Sequence, residues 1–227
     1  MGRDRKDRRA LDLARDYDSS AASKLVRLLL NFGLDGKGPL GSAADLGRKV
    51  QNRSADDDQA IDRLSRQALL GGAVGGFATG LGGFITMPVA IPVNIVEFYV
   101  QATRLVGAVA TIRGYDTADP QIRTAVLLTL AGTKTATKTL TDIGISSPTG
   151  RIADIALRRL PPEALMVVNK AIGLQLLKTL GQRTLTRFGR ALPLAGGVIG
   201  AGFDTWTMRR IARHAAREFP PIAGERS

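Results

Sequence analysis

Apolar residues recur along this chain at intervals of three and four positions, and no stretch alternates convincingly between apolar and polar residues. Intervals of three and four place side chains on one face of an α-helix, whereas alternation would indicate a β-strand. The segment 22–32, with Leu25, Leu28 and Leu29 on one side, shows this pattern and is followed by a predicted turn over residues 33–39. We therefore predict an all-α protein, folded as a compact bundle of several helices.

The starts of several helices are marked by residues that cap free backbone N–H groups. Ser42 is followed three positions later by Asp45, and Ser54 is followed by Asp57 at the same spacing. This spacing is typical of a capping box. Further helices are predicted to begin where proline follows a polar residue or another proline, at Asp119-Pro120, Ser147-Pro148 and Pro161-Pro162.

Two uncharged stretches are unusually rich in glycine. Residues 67–96 contain seven glycines and no charged side chain, and residues 192–203 repeat this composition. Each glycine costs a helix about 0.5–1 kcal/mol relative to alanine, so this many require a compensating gain. Close approach of neighbouring backbones provides one. We expect both stretches to be helices packed in the core, in contact through the glycines Gly72, Gly76, Gly80, Gly83, Gly196 and Gly200.

The first of these stretches is also long enough to span a membrane. Its glycines, together with Pro88 and Pro92, keep its hydrophobicity per residue well below that of a leucine-rich span. A hairpin buried in the protein core is therefore favoured over a hairpin inserted into a bilayer, and both alternatives stay open at this point.

A narrow polar stripe follows on the helix predicted for residues 93–113. Asn94, Glu97, Gln101 and Arg104 are spaced by three, four and three residues, so they share one side of a helix that is otherwise apolar or small. The stripe is either the solvent-facing edge of a mostly buried helix or a polar seam that faces a pocket or the surface of a bilayer. Asp204, between apolar neighbours, needs a cationic partner and is a further candidate for such a pocket.

The C-terminal helix is predicted to be basic on one side. Arg209, Arg210, Arg213 and Arg217 fall within about 100° of arc, and the opposite side is apolar. Such a face is either a solvated outer surface or a contact with anionic lipid headgroups.

Composition excludes several classes of site. The chain has no cysteine and one histidine, His214, so disulfide scaffolds, thiol nucleophiles and cysteine-rich zinc sites are excluded. Asp56, Asp57 and Asp58 point in different directions on a helix, and we interpret them as N-terminal charges, not metal ligands. No metal and no cofactor is predicted. The formal net charge is +12, yet with 5% aromatic residues the chain offers few stacking platforms, which argues against nucleic acid as a partner.

The chain is predicted to be a single domain with polar ends. Residues 1–18 mix acidic and basic side chains without an apolar signal segment, which favours a flexible N-terminal segment of a cytoplasmic protein. Residues 19–219 are expected to form one helical domain, and residues 220–227 a flexible tail.

Two long segments of the sequence resemble the bacterial EcsC family. They are GFATGLGGFITMPVAIPVNIVEFYVQATRLVGAVATIRGYD at Gly76–Asp116 and GRALPLAGGVIGAGFDTWTMRRIARHA at Gly189–Ala215, with a weaker similarity at Phe32–Gly47. The resemblance implies a mainly helical cytoplasmic protein. The founding member is encoded beside an ABC transporter, and the family supplies no established catalytic residues.

Three classes of function are compatible with these observations. The leading one is a non-catalytic accessory protein, linked to transport or to the cell envelope, that associates with an anionic membrane surface or lipid at the inner face of the cell membrane. The second is a soluble module that binds a protein partner through its small-residue faces. The third is an enzyme that uses a carboxylate, either Glu97 or Asp204.

Overall fold

The computed structural model describes residues 21–37, 41–67, 93–145, 151–188 and 196–222. Within these ranges the regular secondary structure is entirely helical, and no strand is formed. The all-α class is therefore confirmed. The glycine-rich residues 68–92, and with them the predicted packing of Gly72, Gly76, Gly80 and Gly83, lie outside the described ranges, as does the polar segment 1–18.

The described ranges contain nine helices. Helix α1 comprises residues 21–28 and continues into a π-helical turn over Leu29–Leu34. The others are α2 (Ala43–Gln51), α3 (Asp57–Gln67), α4 (Val93–Ile112), α5 (Pro120–Ala131), α6 (Thr133–Asp142), α7 (Ile152–Arg159), α8 (Pro162–Phe188) and α9 (Gly196–Glu218).

Helix α4 is the centre of the bundle. It packs against the π-helical turn, α2, α3, α5 and α9. Its sequence explains this position, because apolar or small residues surround almost the whole helix, and Val100, Leu105 and Val109 are fully or almost fully buried. Helix α5 then connects this group to a second one, since it also contacts α6, α7 and α8.

Helix α4 is also the one helix in the described ranges that is long and apolar enough to cross a bilayer, over Ile95–Ile112. Most of that window is buried inside the protein by the neighbouring helices. A core helix enclosed by its own chain meets the same length and composition criteria, so this property is weak evidence for a membrane span.

The start of α2 forms the Ser42 half of the predicted capping box, whereas the Asp45 carboxylate binds side chains instead of the backbone N–H of Ser42. The Ser42 hydroxyl oxygen accepts a hydrogen bond from the backbone N–H of Asp45 at 3.0 Å, and the hydroxyl donates to the Asp45 carboxylate at 2.6 Å. Two hydrogen bonds lower the pKa of the Asp45 carboxyl, and the bond from Ser42 has a larger effect than the bond from Arg48.

The cap predicted at Ser54 and Asp57 is wrong. The Ser54 hydroxyl donates to the carbonyl of Val50 at 2.9 Å, and so satisfies the C-terminal end of α2 instead of the start of α3. Helix α3 begins at Asp57, so the capping position falls on Asp56, whose carboxylate accepts from the backbone N–H of Gln59 at 2.7 Å.

Two of the helix starts predicted from proline are confirmed, those of α5 and α8. At the first turn of α5, the Asp119 carboxylate accepts from the backbone N–H of Gln121 at 2.7 Å, and α8 begins at the second residue of Pro161-Pro162. Helix α7 begins at Ile152, and Ser147-Pro148 lies outside the described residues.

The end of α1 also differs from expectation, because the helix continues past Phe32 through the π-helical turn. The backbone N–H of Asp35 donates to the carbonyl of Leu30 at 2.9 Å, which closes the wider turn. Arg123 of α5 then binds both oxygens of the Asp35 carboxylate, at 2.6 and 2.9 Å. This bidentate pair ties the end of α1 to α5.

Close backbone packing through glycine does occur in the described helices, at glycines that the sequence patterns did not single out. A β-carbon added at Gly47 of α2 would lie 2.8 Å from the carbonyl oxygen of Ala108 in α4. One added at Gly173 of α8 would lie 2.7 Å from the carbonyl oxygen of Ala22 in α1. Both obstacles are backbone atoms, so α2 and α8 approach their neighbours as closely as they do because these positions lack side chains.

We expect Gly47→Ala to destabilise the protein by about 1–3 kcal/mol, because the added carbon has no room beside α4. Helix propensity alone predicts a gain in stability, since alanine is the better helix former by about 1 kcal/mol. The measurement is urea unfolding followed by circular dichroism. Lys49→Ala, at an exposed position of the same helix, is the control and should change stability by less than about 0.5 kcal/mol. A Gly47→Ala protein as stable as the wild type would contradict the close α2–α4 packing.

Candidate functional site

The polar stripe of α4 is partly withdrawn from solvent. Gln101 is buried, with 7% of its surface exposed, and Glu97 and Arg104 are of intermediate exposure. The side chain of Asn94 is outside the described residues, although its backbone lies in the first turn of α4. The stripe is therefore partly buried, and both interpretations of it stay predictions.

Burial changes the electrostatics of this stripe. It raises the pKa of Glu97 and lowers the pKa of the Arg104 guanidinium, because in both cases the charged form loses contact with water. The amide nitrogen of Gln101 is buried without a hydrogen-bond partner in the described part of the chain. Arg104 extends towards the start of α2, where its Nη2 atom lies 3.9 Å from the place that a β-carbon on Gly41 would occupy. The seam therefore consists of poorly solvated polar groups on the central helix.

The remaining pocket candidate and two of the predicted packing glycines lie in α9. Asp204 is in α9, and its side chain is outside the described residues. Gly196 and Gly200 lie in the first turns of α9, and their packing is likewise not described. Among the described residues, no group of three or more acidic or histidine side chains could hold a metal ion.

The C-terminal half of α9 has two contrasting sides. Its inner side is buried in the core through Met208, Ala212, Ala215 and Phe219. The four arginines on its other side are exposed, namely Arg209, Arg210, Arg213 and Arg217. The periodicity of the sequence therefore places each residue on the side that the structure shows.

An exposed tryptophan extends this arginine surface by one turn. Trp206 is 53% exposed, and the guanidinium of Arg210 lies 5.3 Å from the centre of its ring. This geometry is that of a cation–π contact. Sequence reasoning did not include Trp206 in the basic surface, although its position four residues before Arg210 places the two on the same side of a helix. We call Trp206, Arg209, Arg210, Arg213 and Arg217 the basic face of α9.

Glu218 contacts His214 on its own helix and binds the start of α7. The Nδ1 atom of His214 lies 3.6 Å from Oε1 of Glu218, and Oε2 of Glu218 accepts a hydrogen bond from the backbone N–H of Ile152 at 2.9 Å. Burial lowers the pKa of His214, Glu218 opposes this shift, and Arg217 and Arg210 add to it. The imidazole is therefore neutral at pH 7 in the folded protein.

This shift predicts that the contribution of His214 to stability becomes unfavourable on acidification. The unfolded chain takes up a proton on His214 near its ordinary pKa of about 6.5, whereas the folded protein takes it up only at lower pH. His214 therefore costs no stability well above pH 6.5, and its cost grows as the pH drops from there towards the folded-state pKa. Unfolding free energies of the wild type and His214→Gln, measured between pH 7.5 and 5, test this. We expect the variant to show a weaker pH dependence, and identical pH profiles would contradict the assignment.

Comparison with known proteins identifies the family. The sequence profile of the EcsC protein family matches residues 49–220, which is most of the chain and includes α3 to α9. The weaker resemblance at Phe32–Gly47 precedes the matched residues. No curated protein and no solved structure shows significant similarity. The profile match over this length shows that the chain belongs to the EcsC protein family.

Proposed function

We propose that this EcsC protein is a non-catalytic accessory protein that binds the anionic surface of a membrane through the basic face of α9. The observation that carries the proposal is the arrangement of four exposed arginines and one exposed tryptophan on a single side of one helix. Arginines attract anionic headgroups, and tryptophan is enriched where membrane meets water, because its ring is apolar while its N–H is polar.

The packing of α9 determines how it would bind. Free amphipathic helices bind membranes by burying their apolar side among the acyl chains. In α9 that side is already buried in the protein, with Ala215 and Phe219 fully enclosed. Binding is therefore expected to be peripheral, carried by arginine–headgroup attraction and by Trp206 at the interface. Such binding is reversible and sensitive to salt.

The charge of the basic face also indicates which membrane surface suits it. The cytoplasmic leaflet has a negative surface potential, and each surface cation near it contributes on the order of 1 kcal/mol to binding. No acidic residue interrupts the basic face between Trp206 and Arg217. We place the protein at the inner face of the bacterial cell membrane, in a supporting role for transport or for the cell envelope.

Vesicle flotation tests the proposal. The full chain is mixed with vesicles of phosphatidylcholine alone or of phosphatidylcholine with 30% phosphatidylglycerol, at 50 mM and 300 mM salt. We expect flotation with the anionic vesicles at low salt, loss of most of it at high salt, and none with the neutral vesicles. A protein that floats with neither vesicle contradicts the proposal and favours a soluble interaction module. Equal flotation with both contradicts the electrostatic mechanism.

A further inference from the structure

A cleft of about 380 Å³ lies between the C-terminal half of α3 and the C-terminal half of α9. Its floor is formed by the buried residues Ile61, Ser65 and Ala212. The two helices are in direct contact, so both sides of the cleft stand on the packed core of the bundle. Its volume falls at the lower end of the range for small-molecule sites, which suits a headgroup or a small metabolite more than a large cofactor.

The rim of this α3–α9 cleft is strongly basic. Arg66 projects from α3, Arg209 and Arg213 project from α9, and Asp62 is the one acidic residue among the described lining residues. Each of the two helices presents its lining residues at three- and four-residue spacing, so each contributes one continuous edge. The three arginines share one concave surface. None of them, and not Asp62 either, forms an ion pair with another described residue.

We propose that the α3–α9 cleft binds a phosphate monoester, carried either by a lipid headgroup or by a small soluble ester. Three arginine side chains line one concave site, and arginine suits a phosphate dianion because its guanidinium offers parallel N–H donors and is weakly hydrated. The lipid form of this ligand rests on the proposed function, since Arg209 and Arg213 also belong to the basic face of α9. The soluble form does not depend on it.

Arg66 separates this proposal from general attraction to an anionic surface. It lines the cleft but stands on α3, apart from the basic face of α9. Arg217 provides the matched control, because it is exposed on the basic face but does not line the cleft. Neutralising Asp62 should have the opposite effect on affinity, since its carboxylate repels an anion in the cleft.

The first experiment uses soluble ligand only. Binding of glycerol 3-phosphate to the full chain is measured by titration calorimetry, with glycerol as the uncharged reference. We expect Arg66→Gln to weaken binding about tenfold or more through loss of a charge-assisted hydrogen bond. Asp62→Asn should strengthen binding several-fold, a gain that a folding defect cannot produce. Arg217→Gln should leave the affinity within about twofold of the wild type.

The second experiment uses membranes. Vesicles containing phosphatidic acid, whose headgroup is a phosphate monoester, are compared with vesicles containing phosphatidylglycerol, a diester, at matched surface charge. We expect the wild type to prefer phosphatidic acid and Arg66→Gln to lose that preference while still binding both vesicles. Arg217→Gln should weaken binding to the two kinds of vesicle by the same factor.

The outcomes separate the two proposals. Arg66-dependent binding of glycerol 3-phosphate without any vesicle binding supports the cleft, identifies a soluble ligand and overturns the proposed membrane function. Vesicle binding with no Arg66-dependent preference, together with no Arg66-dependent binding of glycerol 3-phosphate, overturns the cleft and leaves the membrane function standing.

Discussion

Replacing all four arginines of the basic face with glutamine, as Arg209→Gln, Arg210→Gln, Arg213→Gln and Arg217→Gln together, is expected to weaken binding to anionic vesicles on the order of a thousandfold. Each surface cation contributes about 1 kcal/mol near an anionic leaflet, so four removals amount to roughly 4 kcal/mol. Stability should change little, because the four side chains are exposed and their helix is held by its opposite side. Co-sedimentation over a range of lipid concentrations measures the effect.

A charge-matched variant is the control for this experiment. It neutralises four exposed cations elsewhere on the protein with glutamine, at Lys24, Arg27, Lys49 and Lys134. Both variants lower the formal net charge from +12 to +8, so a difference between them reports the location of the charge and not its total. Similar weakening in both would show that the protein is attracted by overall charge, and would contradict a specific role for α9.

Phe219→Ala is expected to have the largest effect on stability, a loss of about 3–5 kcal/mol. Phe219 is completely buried at the end of α9, and its ring meets that of Tyr115 edge to face, with 5.3 Å between the ring centres. Truncation therefore leaves a cavity and removes an aromatic contact at the point where α9 is fixed to the chain beyond α4. Chemical unfolding followed by circular dichroism measures the loss.

Met166→Ala is the matched control, because Met166 is also a large apolar side chain but is 77% exposed on α8. We expect it to change stability by less than about 0.5 kcal/mol. If the two variants were equally stable, the end of α9 would not be anchored in the core, and the orientation of the basic face would lose its structural basis.

The features that sequence predicted correctly are those with a strong local period. Helix α4 was expected at residues 93–113 and is found at Val93–Ile112, because its long apolar run begins next to a proline. The two sides of α9 followed from arginines and apolar residues that alternate every three to four positions. Both signals depend only on residues close together in the chain, so a single sequence contains them.

Weak or competing local signals account for the errors in secondary structure. No pattern predicted α6, since half of its ten residues are threonine, whose branched side chain lowers helix propensity. Tertiary packing of Ala136, Thr139 and Leu140 outweighs that preference. At the start of α3, Ser54 and Asp56 were both suitable caps, and their choice depends on where the preceding helix ends.

Contacts between distant residues could not be predicted. Gly47 carries no local mark that distinguishes it from a turn glycine, and its need for a bare backbone arises only from Ala108 on another helix. The α3–α9 cleft joins Arg66 to Arg209 and Arg213, which are far apart in the sequence. Only the path of the folded chain brings these arginines together, and the same holds for the pair of Asp35 and Arg123.

The fluorescence emission of Trp206 shows whether the basic face of α9 meets the membrane. Trp206 is the single tryptophan of the chain and lies about half exposed on the basic face of α9, so its fluorescence reports this surface alone. With phosphatidylglycerol vesicles we expect a shift to shorter wavelength and protection from acrylamide quenching, and with phosphatidylcholine vesicles we expect neither change. Unchanged emission and quenching while the protein is bound to anionic vesicles would show that another surface meets the membrane.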